Sequence, residues 1–180
     1  MTDGSLAPAR LLVFRVGTLA CAAEVDLVRE ILPRLPTTRI PGAPPVVAGL
    51  VNVRGTLITV VEGWRALGQA PPAPPANPPS SEATDEPASG STIILEVARG
   101  AEDQNGGGGG GGAEGNRSGR LVGFTVDEVL DMLTAGDGAL EDRATLPGVD
   151  PTLVRAVGRR GAEVFILLDV AALLGPVLTT

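Results

Sequence analysis

Hydrophobic residues along this chain come in short β-branched runs of about four to eight, with no long amphipathic helix between them. "LLVFRV" (Leu11–Val16), "VVAGLVNV" (Val46–Val53), "TLITVVE" (Thr56–Glu62) and "TIILEV" (Thr92–Val97) are four of them. "TLACAAEVDLVREIL" (Thr18–Leu32), "RLVGFTVDEVLDML" (Arg120–Leu133), "VRAVGRR" (Val154–Arg160) and "AEVFILLDV" (Ala162–Val170) complete the set, each bounded by Gly, Pro or Asn-type turns. "RVGT" (Arg15–Thr18) and "RRGA" (Arg159–Ala162) read as hairpin turns in which glycine supplies the unusual backbone angles. Many short strands at close spacing predict an all-β barrel or sandwich. The two ends also echo each other: "ITVVEGWRALG" (Ile58–Gly68) matches "FILLDVAALLG" (Phe165–Gly175), a strand into an acidic residue, then a short helix ending in Leu-Gly. That pattern predicts a pseudo-repeat of two small barrels.

Two tracts break the pattern. Gln69–Ser91 is Pro-rich, then polar and acidic; Arg99–Gly119 carries an uninterrupted run of glycine from Gly106 to Gly112. Neither offers enough apolar surface to offset the entropy of ordering, so both are expected to be disordered insertions. The glycine run is not a phosphate loop, because the chain has no lysine and polar residues follow it. The proline run could serve as a polyproline ligand, but a spacer is the simpler reading.

Charge and composition then narrow the function classes. The net charge of −7 argues against a nucleic-acid partner, which would require a basic face. Cys21, the single cysteine, excludes an internal disulfide and a Cys-based zinc site, and reads as a small buried hydrophobe. The N-terminus has no basic flank before an apolar core, and no apolar run approaches the ~18–20 residues of a membrane span. A cytoplasmic protein without membrane insertion is expected. The methionine start and the end soon after the last helix suggest a free-standing module.

Catalytic chemistry has little to work with. There is no histidine, so no imidazole base and no His metal ligand. Glu62, Asp127 and Asp169 stand at strand ends, where a carboxylate commonly accepts backbone N–H groups. Asp127 and Asp131 lack the other oxygen ligands of a calcium loop. With no cofactor motif and no catalytic constellation, the chain reads as a binding module.

Four blocks in a fixed order make the reading specific: "FRVGTLACAAEVDLVREIL", "TRIPGAPPVVAGLVNVRGTLITVVEGWRALG", "VGFTVDEVLDML" and "FILLDVAALLG". They contain Val28–Arg29–Glu30–Ile31, Asn52–Val53–Arg54–Gly55 and Val122 to Val129, and they resemble the CheW family of chemotaxis coupling proteins across Leu11–Gly175. The resemblance implies two intertwined five-stranded SH3-like barrels with short helical segments, a single domain over 11–175. It also implies a non-catalytic adaptor without cofactors, which bridges chemoreceptor cytoplasmic tips to the regulatory domain of a CheA-type histidine kinase at receptor arrays. An adaptor in another array, serving pili, gliding motility or development, is the alternative. Three features depart from the family: Cys21 replaces an aromatic, Glu62–Gly63–Trp64 replaces Asp-Leu-Arg, and the two insertions replace short turns. Trp64 reads as partly buried packing.

Candidate contact residues follow from how such modules bind, through edge strands and apolar grooves with a few polar groups. Val25, Val28 and the strand Gly49–Val53 are candidates for a groove that takes a receptor helix; Ile31 and Leu32 read as core. Arg54 is the leading candidate. A buried unpaired guanidinium is costly, so it must be exposed or paired, with Glu30 or Glu62 as the possible partner. Asn52 and Gly55 more naturally shape the turn around it.

Overall fold

The computed structural model describes residues 9–72, 89–97, 119–136, 140–142 and 147–178. Most of the two tracts expected to be disordered, 73–88 and 98–118, lies outside the described residues. Their described margins belong to the fold. Gln69 N–H donates to the Trp64 carbonyl at 2.7 Å, Ser91 opens a strand, and Gly119 N–H donates to Glu96 Oε1 at 2.8 Å.

The described residues form β1 (Ala9–Val16), β2 (Leu19–Glu24), β3 (Val28–Pro33), β4 (Val47–Val53), β5 (Thr56–Glu62) and α1 (Gly63–Ala66). Then come β6 (Ser91–Val97), β7 (Arg120–Val126), β8 (Glu128–Ala135), β9 (Leu140–Asp142), β10 (Val154–Arg160), β11 (Glu163–Leu168) and α2 (Val170–Leu178). Two mixed sheets result, in the orders β8-β1-β2-β11-β10-β9 and β3-β6-β7-β5-β4. The fold is all-β, as the strand pattern predicts.

The pseudo-repeat is structural. β1-β2-β3 and β6-β7-β8 are equivalent three-strand runs, and each gives its third strand to the other unit. β3 pairs with β6 and β8 pairs with β1, both antiparallel. The hairpins β4-β5 and β10-β11 then join the units through parallel pairs, β5 with β7 and β11 with β2. Neither unit can form without strands from the other half of the chain, so the two are intertwined.

Burial explains why the strand runs are so apolar. β1 is covered on both faces, as strands packed on two sides must be. Leu12, Phe14 and Val16 join a shared core with Ile93, Leu95, Val122, Phe124 and Leu174, whereas Leu11 and Val13 fill the first sheet's own interior with Ala22, Phe165 and Leu167. Val51, Ile58, Val60 and Ile94 do the same inside the second sheet. Phe14 and Phe124 meet edge-on across the shared core, with centroids 6.1 Å apart, adding about 0.5–1.5 kcal/mol beyond area burial. Cys21 is fully buried beside Phe14 in register, and burial pushes its thiol up to about 12. It behaves as the small hydrophobe expected.

Each sheet is closed by the chain that follows its swapped strand. In the first unit in space (β8 to β9), β9 pairs with β10, with Glu141 opposite Val157. In the other unit, Thr38 makes a single bridge to Leu50 of β4, with reciprocal N–H···O bonds of 2.8 Å. The ladder cannot extend there, because Pro36 occupies the next pairing position and has no N–H.

Candidate protein-binding surface

Arg54 and Gly55 form the two-residue turn of the β4-β5 hairpin, at φ 51° and 86°. Positive φ at both central positions is the turn that matches strand twist, and glycine meets it without strain. Arginine does not: a left-handed L-residue costs roughly 1–2 kcal/mol. Asn52 Oδ1 accepts the Gly55 N–H at 2.8 Å and steadies the turn. Arg54 Nη2 donates to Glu30 Oε1 at 2.6 Å, resolving the two partners left open by the sequence. β3 and β4 are opposite edges of one sheet, so this ion pair spans the sheet's closure.

The pair does not account for the arginine. Its guanidinium side chain is 80% exposed, and exposed ion pairs contribute about 0–1 kcal/mol. That is less than the backbone strain. On the same sheet Ile31 of β3 and Leu57 of β5 are exposed, at 41% and 67%. Ile31 therefore departs from its core reading. β3 alternates, with Val28, Glu30 and Leu32 half-buried and Arg29 and Ile31 facing out. Leu57, opposite Asn52, was missed because a leucine inside an apolar run carries no mark of exposure.

The other unit repeats the arrangement. Asp131 and Met132 of β8 occupy the places of Glu30 and Ile31, and Val164 of β11 occupies that of Leu57. Met132 and Val164 are exposed, at 57% and 44%. Arg160 approaches Asp131 at 3.7 Å and donates to Glu163 Oε2 at 3.0 Å, while Arg15 donates to Glu163 Oε1 at 2.8 Å. The Arg15 hydrogen bond is the main cause that holds the Glu163 carboxyl below the ordinary glutamate range, partly opposed by desolvation.

The remaining sequence candidates divide. Val25, in a 3-10 turn, and Val28 are half-buried and pack against the shared core. Asp127 Oδ2 accepts from Gly17 N–H at 2.6 Å and Asp169 Oδ1 from Ala172 N–H at 3.0 Å, as strand-end acceptors should. Glu62 does not follow them. It receives two hydrogen bonds from Arg34 Nη2, at 3.0 and 2.8 Å, and one from the Thr125 hydroxyl at 3.0 Å. The Thr125 Oγ1 in turn accepts the Gly63 N–H at 3.1 Å. Glu62 is thus the centre of a half-buried polar junction, because the chain leaving β3 carries Arg34 across the end of β5. Trp64 is half-buried, as expected. Among the described residues no three His, Cys, Asp or Glu side chains converge as metal ligands.

The family model described as CheW-like domain matches residues 10–176. The chain is 28% identical over 127 residues to "Chemotaxis protein CheW" of Rhizobium meliloti, covering 71% of this chain and 61% of that one. It is 27% identical over 132 residues to the protein of the same name from Bacillus subtilis, covering 73% and 64%. It therefore spans less than two thirds of the length of these relatives. Among solved structures, the scaffolding protein TtCheW of Thermoanaerobacter tengcongensis superposes with a TM-score of 0.66 at 17% identity, over 90% of this chain and 89% of that one, and shares the fold.

Proposed function

This chain belongs to the family of CheW-like domains, and we propose that it is a non-catalytic adaptor coupling chemoreceptors to a CheA-type histidine kinase in chemotaxis signalling. The observation that carries this reading is Arg54. It is held in a strained turn that its own exposed ion pair does not repay, on a sheet that also exposes the aliphatic side chains of Ile31 and Leu57. Strain of this kind is retained where the side chain has work at the surface. Arg54 and Glu30 form the polar part of the contact, Asn52 and Gly55 hold the turn, and Val25 and Val28 are apolar anchors toward a receptor helix. The second end, with Met132 and Val164, supplies the second face that any bridging protein requires.

The expected partners are the kinase regulatory domain and the receptors' cytoplasmic tips, with the adaptor in the cytoplasm and recruited to arrays. No helix among the described residues is long and apolar enough to cross a membrane. Net charge −7 disfavours nucleic acid. The test is co-purification from native cells with wild-type and Arg54→Ala chains. Kinase and receptors should accompany the first and be depleted with the second; their absence with wild type sinks the coupling role.

A further inference from the structure

Arg10, Arg15, Arg29, Arg34, Arg54, Arg155 and Arg160 are answered by carboxylates. Arg39 and Arg65 are not, among the described residues. Both line one open cleft of about 830 Å³, between the loop 39–46 and the end of β5. That volume lies within the range of about 300–1,000 Å³ typical of ligand clefts. The cleft belongs to neither end described above.

Arg65 is held in place there. Its guanidinium lies over the Trp64 ring, 4.7 Å from the centroid, and Nη1 donates to the Pro45 carbonyl at 2.5 Å. A planar fork fixed by stacking and one hydrogen bond keeps other N–H donors for an acceptor that enters the cleft. Arg39 is exposed on the cleft's lining. The one carboxylate that faces in, Glu62, is neutralised by its two bonds from Arg34. Pro41, Pro44 and Val47 contribute apolar wall, and Ile40 is 37% exposed on it. Two cations with an apolar wall, on a chain of net charge −7, make this a local reversal of the protein's own field.

We propose that this cleft binds an acidic peptide segment of a partner protein, with carboxylates on Arg39 and Arg65 and an aliphatic side chain against Ile40 and the prolines. Trp64–Arg65, where this chain departs from the family pattern, builds the site. The inference goes beyond the coupling role and needs neither kinase nor receptor for its test.

The probe is a fluorescein-labelled peptide of sequence Gly-Asp-Glu-Ile-Glu-Asp-Gly, titrated with the full chain and followed by anisotropy at low and high salt. Binding should weaken with salt and vanish for the Asn/Gln version of the peptide. The Arg39→Glu/Arg65→Glu variant should raise Kd about tenfold or more, since each exposed pair is worth up to about fivefold. Arg159→Glu, elsewhere on the surface, should leave it unchanged. If Arg65→Glu perturbs the fold by circular dichroism, Arg39→Glu alone should still weaken binding about threefold or more. No binding by wild type, equal binding of the amide peptide, or equal loss in Arg159→Glu would overturn the proposal. Full displacement by sulfate at the peptide's own concentration would also overturn it, leaving an anion site only.

Discussion

The two intertwined units are built on one plan and finished differently. In one, Arg160 is shared between Asp131 and Glu163, and Glu163 also receives Arg15, so four side chains lock the hairpin to its neighbours. In the other, Arg54 has one carboxylate and a strained backbone. The closures differ too: a three-residue strand, β9, against a single Thr38–Leu50 bridge cut short by Pro36. The strand-to-helix junctions differ most. Asp169 caps α2, whereas Glu62 centres a junction with Arg34 and Thr125, and Gly63 stands where the other unit has Val170. The lesson is that a repeated fold keeps its strand register and lets junctions and tips diverge, because only the register is demanded by the shared core.

The largest expected effect is at Gly63. A Cβ there would come within 2.1 Å of the Thr125 carbonyl oxygen, backbone that cannot swing aside. Gly63→Ala should cost about 3 kcal/mol of unfolding free energy, from one added methyl. Val170→Ala, which removes buried methyls at the equivalent place, should cost about 2 kcal/mol. Equal tolerance of both in urea denaturation would mean that the junctions do not differ as described.

Next come the junction carboxylates. Glu62→Ala strands the Arg34 guanidinium and the Thr125 hydroxyl, both mostly buried, and should cost about 2 kcal/mol. Asp169→Ala loses only a cap and should cost about 1 kcal/mol. The same denaturation curves measure both, and a reversed order would refute the contrast.

A smaller effect separates the tips. Arg160→Ala removes the hub of a network and should cost about 1 kcal/mol, after allowing for its partial exposure. Arg54→Ala should change stability by less than about 0.5 kcal/mol, while still depleting the partner pull-down. A large loss of stability in Arg54→Ala would make the residue structural.

The smallest is the acid response of the locked tip. A depressed Glu163 carboxyl contributes stability that is fully present above its unfolded value, near 4.5, and is lost as pH falls through its lower folded value. A carboxyl-resolved NMR titration should place the Glu163 midpoint below 4.5, and Arg15→Ala should move it up. An unmoved midpoint would remove Arg15 from the network.

Much of this was legible in the chain. The short β-branched runs specify strands, and the matching of Ile58–Gly68 with Phe165–Gly175 specifies the repeat, because both rest on local periodicity and turn chemistry. Asn52–Val53–Arg54–Gly55 marked the hairpin tip. The sequence could not say that Ile31 and Leu57 face solvent, since a strand covered on both faces and one covered on a single face differ only in what packs above them.

What the sequence by itself determined is most of the strands, their turns and the family they belong to, all encoded in residues close together along the chain; β9 (Leu140–Asp142) was not among them. Only the tertiary structure decided that each half lends its third strand to the other, that Arg54 takes Glu30 while Glu62 takes Arg34, and that Arg39 and Arg65 share a cleft. Those pairings join residues from 24 to 28 positions apart and across swapped strands. Carboxylates are interchangeable along the sequence, and it is the closure of the sheet that brings one of them, and not another, within reach.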